Sequence, residues 1–145
     1  MSNSDKTSPL MSSKEKAFLL LRAVLSKKAM EPVLVRLIGL TSITDYFLLV
    51  SGTSAKQVQA IAEGVLEDAK RNKIDRLSAE GVGQGNWALL DYGDVIVHIF
   101  RKPIREFYDL EGLWAEAPRE SFPADIQQEI DLAAEREEDD IDQDY

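Results

Sequence analysis

A change of hydrophobic period in its first half constrains this chain more than any other feature. Tyr46, Phe47, Leu48, Leu49 and Val50 form an unbroken apolar run. After Gly52, Thr53 and Ser54, the apolar residues Val58, Ile61, Ala62, Val65, Leu66 and Ala69 recur at helical spacing. A continuously apolar strand suits burial on both faces, inside a sheet with cover on each side. The stripe that follows is one face of an amphipathic helix. Such a strand is expected near the centre of a sheet, with the helix that follows packed on one of its faces.

The other elements follow from local signals. Ser12 with Glu15 has the capping-box pattern, and Phe18, Leu21 and Leu25 give the stripe of a first helix over about Ser13–Lys27. Strands are expected over Pro32–Ile38 and Ile43–Ser51, with a short one over Arg76–Glu80. A loop of Gly81, Gly83, Gly85 and Asn86 precedes two more strands, Trp87–Asp91 and Val95–Phe100, which turn tightly at Gly93. Alternation puts Trp87, Leu89 and Asp91 on one face. A Tyr92–Gly93 loop would pair Leu89 with Ile96 and Trp87 with His98. A Gly93–Asp94 loop would pair Asp91 with Ile96 and Leu89 with His98. Pro103 opens a closing helix lined by Ile104, Phe107, Leu110 and Trp114, and the globular part is expected to end near Pro118. On this reading residues 1–12 are a disordered tail and 13–119 a single domain. Residues 120–145 are an acidic extension, partly helical through Ile126, Ile130 and Ala133 and mobile from Glu137.

Composition removes several function classes. At 145 residues, 44% of them hydrophobic, the chain supports one core. It has no cysteine and one histidine, His98, so disulfides, thiolate sites and zinc sites lack ligands. No apolar run approaches the roughly 18 residues of a membrane span, and no targeting pattern precedes the first helix, so a cytoplasmic protein is expected. The net charge of −9 is uneven. Glu120–Tyr145 holds 11 acidic residues against Arg136 alone, giving −10, while Met1–Arg119 holds 16 basic and 15 acidic residues, giving +1. A near-neutral body lacks a general footprint for phosphate backbones, so no sequence-specific nucleic-acid binding is expected; the tail suits a basic protein surface.

Candidate chemistry is sparse. Asp91 and Asp94 flank the tight turn, but Asp at turns usually binds its own backbone, and no third carboxylate is spaced to complete a magnesium site. Gly52-Thr53-Ser54 is a place where an anion can sit, yet Ser54 with Gln57 reads as helix capping and Lys56 is not placed as a P-loop lysine. His98 has no nucleophile or carboxylate arranged with it and reads as a packed side chain. No catalytic residue, metal or cofactor is assigned. Trp87 differs, because at the start of a strand beside a glycine loop an aromatic ring can stay partly exposed and anchor an interface. Leu89 and Ile96, on the same face, read as core beneath helices. Arg105 and Tyr108, one turn apart, are equally compatible with surface contact and sheet packing.

Four ordered blocks then carry a signature: SITDYF at Ser42–Phe47, SGTS at Ser51–Ser54, WALLDYGDVIVHIF at Trp87–Phe100 and REFYDLEGLW at Arg105–Trp114. Together they resemble the ribosomal silencing factor (Iojap) family from about Ser13 to Arg119. The resemblance implies an α/β fold, a mixed β-sheet of about five strands flanked by helices, related to nucleotidyltransferases but without their chemistry. It implies binding to large-subunit ribosomal protein fourteen, on the large ribosomal subunit where the subunits meet, and steric obstruction of small-subunit joining that represses translation. A large-subunit maturation role at the same site is the alternative within that reading, and a nucleotide-binding transferase is the alternative of another class. Homodimers in isolation are also implied. Carried over by residue, the partner surface comprises Trp87, Leu89, Asp91, Tyr92 and Asp94, with Arg105 and Tyr108 as further candidates. Two departures stand out: Lys56 and Gln57 replace the Arg and His frequent in the family, and the acidic extension lies outside the common pattern.

Overall fold

The apolar run folds as β2 (Tyr46–Gly52) and the stripe after it as α2 (Ala55–Arg71), capped by Ser54, whose hydroxyl accepts from the backbone N–H of Gln57 at 3.1 Å. In the computed structural model, which describes residues 11–143, α1 (Ser13–Ser26) and β1 (Met30–Arg36) precede this unit. After it come β3 (Ser78–Glu80), β4 (Trp87–Asp91), β5 (Val95–Arg101), α3 (Lys102–Tyr108), α4 (Leu110–Leu113) and α5 (Ala124–Gln143). The five-stranded sheet has the order β1-β2-β5-β4-β3. β2 pairs antiparallel with β1 and parallel with β5, and the other pairings are antiparallel. With a neighbour on each edge and cover on each face, β2 has no exposed side to make polar.

The capping box at α1 forms in full: the Ser12 N–H donates to Glu15 Oε1 at 3.0 Å, and the Glu15 N–H to Ser12 Oγ at 3.1 Å. At the β4–β5 turn the Tyr92 N–H donates to the Val95 carbonyl at 2.9 Å, which leaves Gly93 and Asp94 as the loop; Gly93 takes the positive φ of 91° that the turn needs. Asp91 accordingly faces Ile96, Leu89 faces His98 and Trp87 faces Phe100.

Two unequal cores result. On one face α1 and α2 bury Leu20, Leu21, Val24, Val58, Ile61 and Val65 against Leu48, Val50, Ala88, Leu90, Val97 and Ile99. Each fully buried Leu or Ile there contributes about 1.5–3 kcal/mol. On the other face α3, α4 and the segment after them cover a smaller cluster of Val35, Leu37, Leu49, Phe100 and Ala117, packed with Phe47, Ile104, Leu110 and Trp114.

Several expectations change. β1 and β2 are displaced from the predicted bounds, and the connection between them leaves Ile38, Leu40 and Ile43 exposed, Ile43 by 72%. The single closing helix is broken at Asp109, whose φ of 48° ends α3 and whose carboxylate accepts from the Gly112 N–H at 3.1 Å to start α4. Phe107 therefore does not line the sheet with Ile104 and Leu110. It is 78% exposed, and Arg105 is turned inward.

Both expected tails are also corrected. Met11 packs on the main core and Ser12 caps α1, while residues 1–10 lie outside the described residues. The globular part does not end near Pro118, because Pro118 to Glu120 complete the outer edge of β1: the Arg36 N–H donates to the Pro118 carbonyl at 2.9 Å, and the Glu120 N–H to the Leu34 carbonyl at 2.8 Å. The Glu120 carboxylate accepts from the Tyr46 hydroxyl at 3.3 Å and pairs with Lys14 at 3.0 Å. Ile126 is fully buried in the main core, with Phe122 and Ile130 beside it, and α5 continues through the acidic run to Gln143.

Candidate functional site

β4 is where the two faces diverge. Ala88 and Leu90 are fully buried beneath the helices, whereas Trp87, Leu89 and Asp91 on the opposite face are each part exposed. Leu89 is thus not core, as expected of it; its face is covered over β1 and β2 but left open at β4. Ile96, on β5, is buried as expected. Two glycines allow close backbone approaches in the loop that leads into Trp87. A side chain at Gly81 would strike the Trp87 carbonyl, and one at Gly85 would strike the Ala55 carbonyl at the start of α2; both glycines have positive φ.

The Trp87 ring lies 4.9 Å from Phe100 and 5.0 Å from Tyr108, and Phe107 stands edge-on to Tyr108 at 5.0 Å. Tyr108 is 52% exposed, so of the two residues left open on the closing helix it is the one at the surface. Phe107 extends this aromatic surface, and its helical spacing from Ile104 concealed it. Beyond the other end of β4, Leu77 is 71% exposed; its N–H donates to the Asp91 carbonyl at 2.7 Å.

Arg105 is the inward residue. Its Nη1 donates to Ser51 Oγ at 2.9 Å and to the Glu31 carbonyl at 2.8 Å, while Nε and Nη2 bind both oxygens of Glu111 at 3.1 and 2.8 Å. That hydrogen-bonded pairing holds the Glu111 carboxyl below its ordinary pKa, against the opposing effect of burial. Arg105 ties β1, β2 and α4 together and is no surface contact. Tyr92 is likewise corrected: only 3% exposed, it belongs to the main core and offers no ring to a partner.

The turn carboxylates have local duties. Asp91 Oδ1 accepts from the Gly93 N–H at 2.8 Å, and Asp94 pairs with Lys16 of α1 at 2.6 Å while remaining about a third exposed. Among the described residues no group of three His, Cys, Asp or Glu is placed to hold a metal ion. At the amino end of α2, Gln57 Oε1 accepts from the Thr53 N–H at 2.6 Å and from the Thr53 hydroxyl at 2.7 Å. The seat considered for an anion is thus occupied by the chain's own carboxamide, and the glutamine half of the expected capping box reaches Thr53 instead of Ser54. Clefts of about 350 and 890 Å³ open elsewhere, and neither is lined by Trp87, Leu89 or Asp91. A shallow, aromatic, part-exposed sheet face suits a protein partner better than a small molecule, which is usually taken into a concave pocket.

A family model described as "Ribosomal silencing factor during starvation" matches residues 10–144. The match runs through the acidic extension, which places that segment inside the family's pattern. The ribosomal silencing factor RsfS of Halalkalibacterium halodurans is 44% identical over 108 residues, covering 74% of this chain and 92% of that protein. The RsfS of Bacillus subtilis is 42% identical over 92 residues, covering 63% and 78%. A solved structure from Chromobacterium violaceum matches with a TM-score of 0.71 at 32% identity, over 79% of this chain and 94% of that one. The four sequence blocks, the five-stranded sheet and these matches agree: the chain belongs to the ribosomal silencing factor family.

Proposed function

We propose that this chain binds the large ribosomal subunit through large-subunit ribosomal protein fourteen and, seated there, sterically blocks joining of the small subunit, so that translation is repressed. The observation that carries this reading is the half-covered sheet face, on which Trp87 and Leu89 remain part exposed beside Tyr108 and Phe107. A central aromatic anchor with an apolar surround is the composition of an interface core. Asp91 and Asp94 lie at the far end of β4, where residual negative charge orients a basic partner; Lys16 offsets part of it. Tyr92 and Arg105 act from beneath, holding the turn and the closing helices.

No chemistry is required of the bound protein, since occupancy alone obstructs the second subunit. The test is sedimentation of the full chain with isolated large subunits, isolated small subunits and intact ribosomes, followed by a subunit-joining assay. Selective sedimentation with large subunits and reduced joining is the expected result. Absence of binding at low and moderate salt would remove the reading.

A further inference from the structure

An indole N–H donates and never accepts, so an anchored acceptor beside a part-exposed tryptophan favours the one orientation of the ring that reaches it. Trp87 meets one. Its Nε1 donates to Nδ1 of His98, the chain's sole histidine, at 3.1 Å. His98 stands on β5, on the same face and diagonal to Trp87, because Trp87 is opposite Phe100 and Leu89 opposite His98.

The imidazole is itself held. It is 4% exposed, edge-on to Phe47 at 4.5 Å between ring centres and stacked with Phe100 at 6.0 Å. Since Nδ1 accepts, the neutral ring carries its proton on Nε2, and that buried atom has no partner among the described residues. Burial holds the pKa down to about 4, so the ring stays neutral and Nδ1 stays an acceptor at neutral pH. An unpaired buried N–H costs stability that a phenylalanine in this aromatic nest would not. What the imidazole adds is an acceptor at a fixed place beneath the indole.

We infer that His98 is a positioning residue: through Nδ1 it locks the Trp87 indole into the orientation that meets the partner. This rests on the reading of Trp87 as an anchor proposed above. Freed of the bond, the ring would sample other rotamers, and a partner would have to select the competent one, which weakens binding by the fraction lost.

The test uses the full chain and two substitutions. His98→Phe keeps an aromatic ring and removes the acceptor, while His98→Asn sets Oδ1 near the place of Nδ1. The first readout is hydrogen exchange at the Trp87 indole N–H, identified by its loss in Trp87→Phe; the second is sedimentation with isolated large subunits. For His98→Phe we expect exchange and Kd to rise, each by roughly tenfold, with both returning towards wild type in His98→Asn. Equal losses in the two variants would mean that only packing matters, and unchanged exchange and binding in a folded His98→Phe would overturn the inference. Should His98→Phe fail to fold, the wild type decides: a through-hydrogen-bond coupling between the 15N nuclei of Trp87 Nε1 and His98 Nδ1 is expected, and its absence sinks the lock. Should wild type bind no large subunits, the functional reading fails while the exchange and coupling data still report whether His98 fixes the ring.

Discussion

The two faces of the sheet come from the same strands and differ in what lies over them. Under α1 and α2 the inward residues of β2, β4 and β5 are fully buried, as Leu48, Ala88, Leu90, Val97 and Ile99 show. Over the other face, α3 and α4 hold only 7 and 4 residues against the 14 and 17 of α1 and α2, and β4 is left with Trp87, Leu89 and Asp91 part exposed. One face holds the fold and the other presents it. Substitutions on the closed face should therefore be read in stability, and those on the open face in binding.

The largest effect should come from the closed face. Ile61→Ala in α2 and Ile126→Ala in α5 each remove a fully buried side chain from the main core and should cost about 2–5 kcal/mol by chemical denaturation. Binding per folded molecule should be unchanged. If Ile126→Ala proves neutral, the carboxy-terminal segment is an accessory after all.

Acid should expose a buried group on the open face. Because the His98 pKa in the folded chain lies at about 4 and its ordinary value is 6.5, the unfolded chain takes up the proton first as pH falls. The neutral ring's contribution is complete above about pH 6.5 and is lost as pH drops towards 4, amounting to about 3 kcal/mol at most. Denaturation midpoints of wild type and His98→Asn over that range check it: the variant should show the shallower decline. Parallel curves would assign the acid sensitivity to carboxylates such as Glu111.

Trp87→Ala sharpens the comparison from the other direction. It should weaken large-subunit binding by about 2 kcal/mol, or roughly 30-fold, while the variant still unfolds cooperatively. Sedimentation as tight as wild type would move the interface off this face. Smallest of all, Asp94→Asn removes an ion pair with Lys16 whose partners are 35% and 19% exposed, and should change stability by less than about 1 kcal/mol, less still in high salt.

How much of this could be read in advance follows the range of the interactions involved. Period-2 alternation is local, so the shared face of Trp87, Leu89 and Asp91 was legible, and Gly93 narrowed the register to two choices. The Ser12–Glu15 capping box and the stripe of α2 are equally local. Which face the helices would cover depends on crossovers between distant strands, and that is why Leu89 was expected in the core. Tyr92 was misplaced and Arg105 left open for a related reason: a tyrosine at a turn looks exposed, and an arginine on a helix can face either way until Ser51, Glu31 and Glu111 converge on the guanidinium. The break at Asp109 left no warning, because Phe107 keeps helical spacing with Ile104 on both sides of the outcome. In the carboxy-terminal segment, the density of acidic residues hid the anchoring of Ile126.

That anchoring has a consequence for how the acidic segment is held. Ile126 fastens the first turns of α5 to the helix-covered side of the sheet, with Phe122 and Ile130 beside it. The segment is therefore tethered at its root: it leaves the body only when Ile126 is drawn out of the core, so a protease that cuts near this root must wait for that local opening.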